Sequence, residues 1–270
     1  MTRSSAAASI VAFALALSAC GSPPEKLPET DDRAPAAVAE PLAPQALSLD
    51  TLDGFKIVAD YHPATADPVA TLVLLHQAGS SGGAEYAPLV DTFAAAGFNL
   101  LVPDLRSGGD LFGGNNRTAA AFDQEATGYC DAIPDVDAAI ARAAEDGLPV
   151  FVLGSSYSAA LAVRAADVHP DTVAGFIALS PASGEPLAGC DPSAHMAAAP
   201  RGFVLRPTSE TEIPRVAEQL AAFERAGAKT MVVENGVHGA SMLVDERTDH
   251  DMTDVRQAVI DFVKERATAL

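Results

Sequence analysis

The sequence predicts an α/β protein with a mostly parallel central sheet, helices on both faces and an antiparallel hairpin at the N-terminal edge. Short apolar runs alternate with longer segments of helical periodicity, as where Thr71–Leu75 precedes Ala84–Ala96. Continuous apolar runs are typical of strands buried on both faces of a parallel sheet, and their alternation with helices requires crossover connections. The chain has 270 residues, 49% of them hydrophobic, which is enough for one sizeable core in a single domain.

The predicted elements begin near residue 47. A hairpin is expected around Leu52-Asp53-Gly54, because Asp-Gly between two β-like runs favours a tight turn. The expected strands are Leu47–Thr51, Phe55–His62, Thr71–Leu75, Asn99–Val102, Val150–Leu153, Val173–Leu179, Phe203–Leu205 and Thr230–Glu234. The expected helices are Ala84–Ala96, Asp135–Ala144, Ser158–Ala166, Ile213–Ala226 and Val255–Ala267. The Gly- and Asn-rich stretch from Ser107 to Cys130 is long for a connection, and such loops are often functional.

The N-terminus has the pattern of an export signal. Arg3 precedes an apolar stretch of 12 residues, Ala6 to Leu17, which is too short to span a bilayer. The stretch ends in Leu17-Ser18-Ala19-Cys20, which resembles the lipobox of bacterial lipoproteins. That resemblance implies a signal peptide over residues 1–19 and a lipid on Cys20 that anchors the exported protein in the cell envelope, on the periplasmic face. The alternative is an ordinary secretory signal cut before an incidental Cys20.

A linker is predicted between the lipid and the domain. Residues 20–46 are rich in Pro, Ala and Glu and have no hydrophobic period, which is typical of a disordered tether. We therefore expect the folded domain to span residues 47–270.

The charge of the chain restricts its partners. The formal net charge is −19 and the pI is about 4.5, which argues against nucleic acid and anionic membrane surfaces, since both are polyanions. Membrane contact is expected only through the lipid on Cys20. No spacing of His, Cys and carboxylates indicates a metal site, and we expect no cofactor. The sequence makes no prediction of the oligomeric state.

Cys130 and Cys190 are the remaining cysteines. In an oxidising compartment two such residues often pair, and both fall in predicted loops, so we expect a disulfide. The alternative is two free thiols.

A catalytic serine is predicted at the end of the fifth expected strand. In Gly154-Ser155-Ser156-Tyr157-Ser158 the chain turns from a strand into a helix within about two residues, and small residues make that turn possible. Ser156 then lies at the apex of a nucleophile elbow, and the Tyr157 amide at the helix N-terminus can stabilise an oxyanion. Ser155 or Ser158 would take the apex if the strand ended elsewhere.

A serine hydroxyl needs a base and an acid that orients the base. His238 lies in a Gly-flanked loop after the last expected strand, and Glu210 lies after the preceding strand. Active sites of open α/β sheets lie at the carboxyl ends of the strands, so these residues are predicted to meet Ser156. Glu212 and Asp104 are the alternative acids.

These motifs resemble the α/β-hydrolases, and most closely the small lidless members such as dienelactone-hydrolase-like proteins, over about Leu47 to Leu270. The match rests on the elbow, on His76-Gln77-Ala78-Gly79 at the oxyanion loop, on Pro103-Asp104-Leu105-Arg106 and on Val237-His238-Gly239. The resemblance implies a single α/β-hydrolase domain with a Ser156, His238 and Glu210 triad. It also implies that the Ala78 amide joins that of Tyr157 in the oxyanion hole.

Three departures from the family pattern stand out. Ser158 and Gln77 replace glycines, and Arg206 places a cation close to the expected acid. Only about 20 residues, 183 to 202, lie where larger relatives insert a lid, so we expect an open site. Four further side chains are expected to be mainly structural: His76, Arg106, Arg117 and His195.

The expected activity is that of a carboxylesterase-like serine hydrolase acting on esters or related small acyl compounds. The alternative is a lipoprotein of the envelope that uses the same fold as a binding module with little or no turnover. A triad of this kind can cleave ester, thioester, lactone and peptide bonds, so the sequence does not predict the substrate.

Overall fold

Eight strands form one sheet in the computed structural model, which describes residues 43–123 and 127–270. They are β1 (Gln45–Asp50), β2 (Lys56–His62), β3 (Ala70–Leu75), β4 (Phe98–Pro103), β5 (Val150–Ser155), β6 (Val173–Leu179), β7 (Gly202–Pro207) and β8 (Lys229–Val233). Their order across the sheet is β1-β2-β4-β3-β5-β6-β7-β8. Strands β1 and β2 pair antiparallel, β2 joins β4 antiparallel, and the other neighbours are parallel. The predicted fold class is thus confirmed.

The first strand begins two residues earlier than expected. Gln45 pairs with Tyr61 and Ala46 with Asp60, so the end of the predicted linker belongs to the sheet. The hydrogen bonds of the hairpin hold these two residues although their side chains are exposed, and an apolar pattern cannot reveal such a start. The expected signal peptide (1–19), Cys20 and the linker up to residue 42 lie outside the described residues.

Helices cover both faces of the sheet. They are α1 (Gly82–Ala95), α2 (Ile133–Ala144), α3 (Tyr157–Val168), α4 (Thr208–Thr211), α5 (Pro214–Arg225), α6 (Asp245–Thr248) and α7 (Thr253–Thr268). Alternate residues of β3 enter two separate cores: Val73 and Leu75 pack with α2 and α3, whereas Leu72 and Leu74 pack with α1 and α7. Within the described residues, no helix has both the length and the apolar character needed to cross a membrane.

Short 3-10 turns replace regular helices in the long connections, at Leu111–Gly113, Ala119–Ala121, Tyr129–Ala132, Glu185–Leu187, Pro192–Arg201 and Gly239–Leu243. Cys130, in the loop before α2, is disulfide-bonded to Cys190, in the connection between β6 and β7, with their Cα atoms 5.7 Å apart. This is the pairing that the sequence analysis expects. The adjacent Tyr129 ring stacks on the ring of Tyr157 at a centroid distance of 5.0 Å, so the bridge lies one aromatic contact from the elbow.

Candidate active site

The turn between β5 and α3 holds Ser156 in a strained conformation. Its φ and ψ angles are 60° and −116°, a region that costs a non-glycine residue about 1–3 kcal/mol. Ser156 is partly exposed, whereas Ser155 and Ser158 are fully buried. The structure therefore places Ser156, and neither neighbour, at the apex. Gly154 makes the turn possible, because a Cβ atom there would lie 2.2 Å from the Ser158 carbonyl oxygen.

The hydroxyl of Ser158 has a defined role in this turn. Its Oγ accepts the Ser155 N–H at 2.9 Å and donates to the Leu75 carbonyl at 2.8 Å. The bond to Leu75 joins the elbow to the end of β3, from which the oxyanion loop departs. The serine that replaces the usual glycine thus bridges two loops of the site.

Two backbone amides in the segments that follow β3 and β5 make no hydrogen bond to any described residue: those of Ala78, after β3, and Tyr157, at the start of α3. The neighbouring Gln77 amide is different, because it donates to Glu85 Oε2 at 2.7 Å. This bond fixes the oxyanion loop on the first turn of α1, whereas the Ala78 amide has no hydrogen-bond partner among the described residues.

His238 and Glu210 are hydrogen-bonded across the ends of β8 and β7. The distance from His238 Nδ1 to Glu210 Oε1 is 2.5 Å, which assigns the proton to Nδ1 and leaves Nε2 as the free nitrogen of the ring. The side chain of His238 is 52% exposed, whereas that of Glu210 is 15% exposed. A largely buried carboxylate hydrogen-bonded to an accessible imidazole is the arrangement that serine hydrolysis needs.

The His238 loop lies against both the elbow and the oxyanion loop. Ser155 Oγ accepts the Ala240 N–H at 2.8 Å. A Cβ atom on Gly239 would lie 2.4 Å from Ser155 Oγ and 3.2 Å from Gln77 Oε1. The ends of β3, β5 and β8 therefore meet. Among the described residues, Ser156 Oγ itself has no hydrogen-bond partner.

Arg206 keeps Glu210 ionised. Its guanidinium binds Glu210 Oε2 at 2.6 Å, opposite the oxygen that faces His238. Burial favours the neutral carboxyl, but the hydrogen bonds from His238 and Arg206 outweigh it, so the pKa of Glu210 lies below its usual value. The cation that departs from the family pattern thus supports the acid.

The two alternative acids do not contact His238. Asp104 is buried and accepts hydrogen bonds from the Gly82 amide and from Arg117 Nε, at 2.9 and 2.6 Å. Glu212 is exposed and makes no hydrogen bond to a described residue through its side chain. Of the three candidates, only Glu210 is hydrogen-bonded to His238.

The other two histidines that the sequence analysis considers are held in place by the fold. Buried His76 donates from Nδ1 to the Gln77 carbonyl and accepts the Leu105 N–H at Nε2, both at 2.8 Å. Because Nε2 accepts a hydrogen bond, the ring is neutral, and burial also lowers its pKa. The ring fixes the start of the oxyanion loop. His195 Nδ1 lies 2.8 Å from a carboxylate oxygen of Asp167 in α3.

Arg106, directly before the long loop, and Arg117, within it, also bind within the protein. Arg106 forms an ion pair with Asp135 at 2.6 Å, and Arg117 forms one with Asp104, also at 2.6 Å. Both carboxylates are buried. These pairs hold the 107–130 loop against the domain, in agreement with the expected structural role.

Three side chains support the site in ways that the sequence pattern does not indicate: Ser155, Ser180 and Glu85. Ser180 follows β6 with a φ of 53°; its Oγ donates to Glu210 at 2.9 Å and accepts the Gly239 N–H at 3.1 Å. Glu85 is fully buried below the oxyanion loop, and its Oε1 has no hydrogen-bond partner among the described residues. Burial raises the pKa of Glu85, against the effect of the nearby Ser155 hydroxyl. Only folding brings these residues together, so sequence spacing cannot find them.

Among the described residues, no set of side chains at the site suits a metal. Over residues 43–123 and 127–270, no group of three or more His, Cys, Asp or Glu side chains could hold a metal ion. The arrangement can perform acyl transfer with groups of its own: a strained serine, a base with an ionised acid, and two free amides.

Comparison with known proteins identifies the family. Residues 66–259 match the family described as serine aminopeptidase, S33, whereas the search of curated proteins finds no match. Among solved structures, an esterase of Pyrococcus furiosus is 17% identical with a TM-score of 0.62, over 83% of this chain and 91% of that chain. A thermostable carboxyl esterase from Bacillus coagulans is 14% identical with a TM-score of 0.61, over 84% and 99%.

A peptidase has the same fold over part of its length. The acylaminoacyl peptidase of Pyrococcus horikoshii is 12% identical with a TM-score of 0.59, over 83% of this chain and 41% of that chain. At such low identities the structural similarities show only that the fold is shared. The family match shows the family, because it covers most of the sequence. The chain belongs to the serine aminopeptidase S33 family and is an α/β-hydrolase.

Proposed function

We propose that this protein is a carboxylesterase-like serine hydrolase that cleaves small acyl compounds with Ser156 as nucleophile, His238 as base and Glu210 as acid. The observation that carries the proposal is the 2.5 Å bond between His238 and Glu210 at the same sheet edge as the strained Ser156. A strained serine, an exposed imidazole and a largely buried carboxylate thus share one edge of the sheet.

The reaction follows from these positions. Ser156 Oγ attacks the acyl carbon, and His238 Nε2 takes the hydroxyl proton. The amides of Ala78 and Tyr157 bind the tetrahedral oxyanion, at roughly 3 kcal/mol per donor. His238 then passes its proton to the leaving oxygen, and an acyl-enzyme remains. Water, deprotonated by His238, attacks this ester and releases the acid and free Ser156. No cofactor is needed.

An open site favours small or accessible substrates. The chain between β6 and β7 folds as short turns tied to Cys130 by the disulfide, and the His238 side chain is half exposed. These features support the comparison with lidless, dienelactone-hydrolase-like enzymes. Esters are favoured over peptides because two of the three structural relatives described above are esterases, and ester cleavage needs no site for a free terminal amine.

We also propose that the enzyme is exported and anchored by a lipid on Cys20, with residues 1–19 removed and residues 20–44 as the tether, since β1 begins at Gln45. The Cys130–Cys190 disulfide supports an oxidising compartment. Metabolic labelling with an alkyne fatty acid tests the anchor: the wild-type protein should carry the label and remain with membranes, whereas Cys20→Ser should lose both. Equal labelling of both proteins would refute the anchor.

Labelling with a fluorophosphonate tests the catalytic proposal. The wild-type protein should label at Ser156, and both Ser156→Ala and His238→Ala should abolish labelling and the hydrolysis of 4-nitrophenyl butyrate. Glu212→Gln is the matched control and should behave as wild type. A folded wild-type protein that neither labels nor turns over would favour the binding module. A panel of ester, thioester, lactone and peptide substrates then identifies the preferred bond.

A further inference from the structure

A cleft that has no role in the proposed reaction adjoins the site on the side of His238. It has a volume of about 260 Å³, and its apolar lining comes from Pro181, Ala182, Ile213 and Val216. His238 and Glu210 line the same cleft, so a molecule bound there lies beside the base.

The cleft continues along helix α5. A second cleft of about 340 Å³ contains Met196, Ala222 and Phe223, and it has Ser183 and Arg215 in common with the first. The two clefts together form a path that leads away from the catalytic base, with Arg215 at their junction.

The arginines of this path differ from the others in the protein. The described residues contain eleven arginines, and nine of them bind carboxylates or carbonyl oxygens of the protein through their guanidinium groups. Only Arg215 and Arg225 make no such bond within those residues. Both are exposed and both line the second cleft. In a chain of net charge −19, two uncompensated cations in one cleft need an explanation.

Neighbouring charges do not neutralise Arg215. Arg206 lies in the first cleft but is already engaged by Glu210. Glu218 and Asp191 line the second cleft, but neither forms an ion pair with a described arginine, and the carboxylate of Asp191 accepts hydrogen bonds from its own loop. Arg215 is therefore the cation closest to His238 along this path that can receive a ligand.

We propose that this cleft binds acyl compounds that carry a carboxylate remote from the scissile ester, and that Arg215 binds that carboxylate. The proposal rests on the proposed function, since His238 and Glu210 form one end of the cleft. A guanidinium presents two parallel donors that match the two oxygens of a carboxylate. The apolar walls suit the aliphatic or aromatic part of the substrate between the ester and the carboxylate.

Matched pairs of substrates test the assignment. Mono-4-nitrophenyl succinate and 4-nitrophenyl butyrate differ by a carboxylate on the acyl side. 4-Acetoxybenzoate and its methyl ester differ by a carboxylate on the leaving group. For each pair, the ratio of kcat/KM for the anionic member to that for the neutral member is compared between wild type and Arg215→Gln. This comparison removes the intrinsic reactivity of the esters.

We expect Arg215→Gln to lower that ratio about fivefold in at least one pair, the effect of losing one partly exposed charge pair, with the neutral member unchanged. Arg215→Lys should retain part of the preference. Lys264→Gln, an exposed change of equal charge on α7, should leave the ratio unchanged. Added salt should reduce the wild-type preference and leave that of Arg215→Gln unchanged.

Equal effects of Arg215→Gln on both members of both pairs, or an effect equalled by Lys264→Gln, would overturn the assignment while the esterase function stands. Absence of fluorophosphonate labelling and of turnover with every ester would instead overturn the proposed function, and the assignment with it.

Discussion

Replacing Ser158 by glycine restores the residue usual in the nucleophile motif, yet the structure predicts that this change destabilises the protein. The Ser158 hydroxyl accepts the N–H of Ser155, whose residue is fully buried. The carbonyl of Leu75 would also lose the hydroxyl, but it keeps a second donor, the hydroxyl of Tyr86 at 2.7 Å. The cost therefore falls on the Ser155 amide.

The size of the destabilisation follows from these hydrogen bonds. A buried N–H left without an acceptor costs about 1–3 kcal/mol, which is the expected loss for Ser158→Ala. Glycine adds about 0.5–1 kcal/mol through the entropy of the unfolded chain. The free energy of unfolding should decrease in the order wild type, Ser158→Ala, Ser158→Gly.

Urea denaturation measures this order, and the rate of fluorophosphonate labelling measures whether the elbow keeps its geometry. Ser48→Ala, a change of an exposed serine on β1, should lie within about 0.5 kcal/mol of wild type. If Ser158→Gly were as stable as wild type and labelled as fast, the hydroxyl would be merely tolerated and the reasoning would be refuted.

Three further changes test other parts of the site. Replacing Cys130 and Cys190 by serine should lower the free energy of unfolding by about 4 kcal/mol, because the bridge spans a sequence separation of 60. Urea denaturation of the variant and of oxidised and reduced wild type measures this difference. Equal stability of the oxidised and reduced proteins would contradict the prediction. Glu85→Leu should lower kcat for esters about tenfold with KM little changed, because the oxyanion loop loses its buried acceptor. Glu85→Gln keeps an acceptor oxygen and should retain most activity. Similar losses of activity in both variants would count against a positioning role of Glu85. Arg206→Gln removes a cation that lowers the pKa of Glu210. The stabilisation by an ionised Glu210 is lost as pH falls through that pKa, so acid unfolding of the variant should begin at higher pH than that of wild type. If a circular-dichroism titration shows the same acid unfolding for both proteins, this role of Arg206 is excluded.

Much of the fold could be predicted because its signals are local. The continuous apolar run of β3 and the Asp-Gly turn before β2 depend on neighbouring residues only. Ser156, Glu210 and His238 could also be placed, because each follows a predicted strand and parallel strands present their carboxyl ends at one edge. The start of β1 at Gln45 could not, because it is set by pairing with a later strand.

The supporting residues of the site could not be predicted for a related reason. Glu85, Ser155 and Ser180 act through bonds between loops that are far apart in the sequence. A serine or a glutamate in such a position has no characteristic spacing. Ser158 and Arg206 can be recognised in the sequence as departures from the family pattern. Only the folded structure shows that Ser158 binds the Ser155 amide and that Arg206 binds Glu210.

The single hydroxyl of Ser180 connects the ends of three successive strands, since it follows β6, donates to the acid after β7 and accepts from the base loop after β8. Acid and base are therefore not adjusted independently, and displacement of one loop carries the other with it. An alanine scan read by activity alone would count Ser180 among the groups that touch substrate. Chemical rescue or a pH profile would be needed to see the part of its contribution that passes through Glu210 and the loop that carries His238.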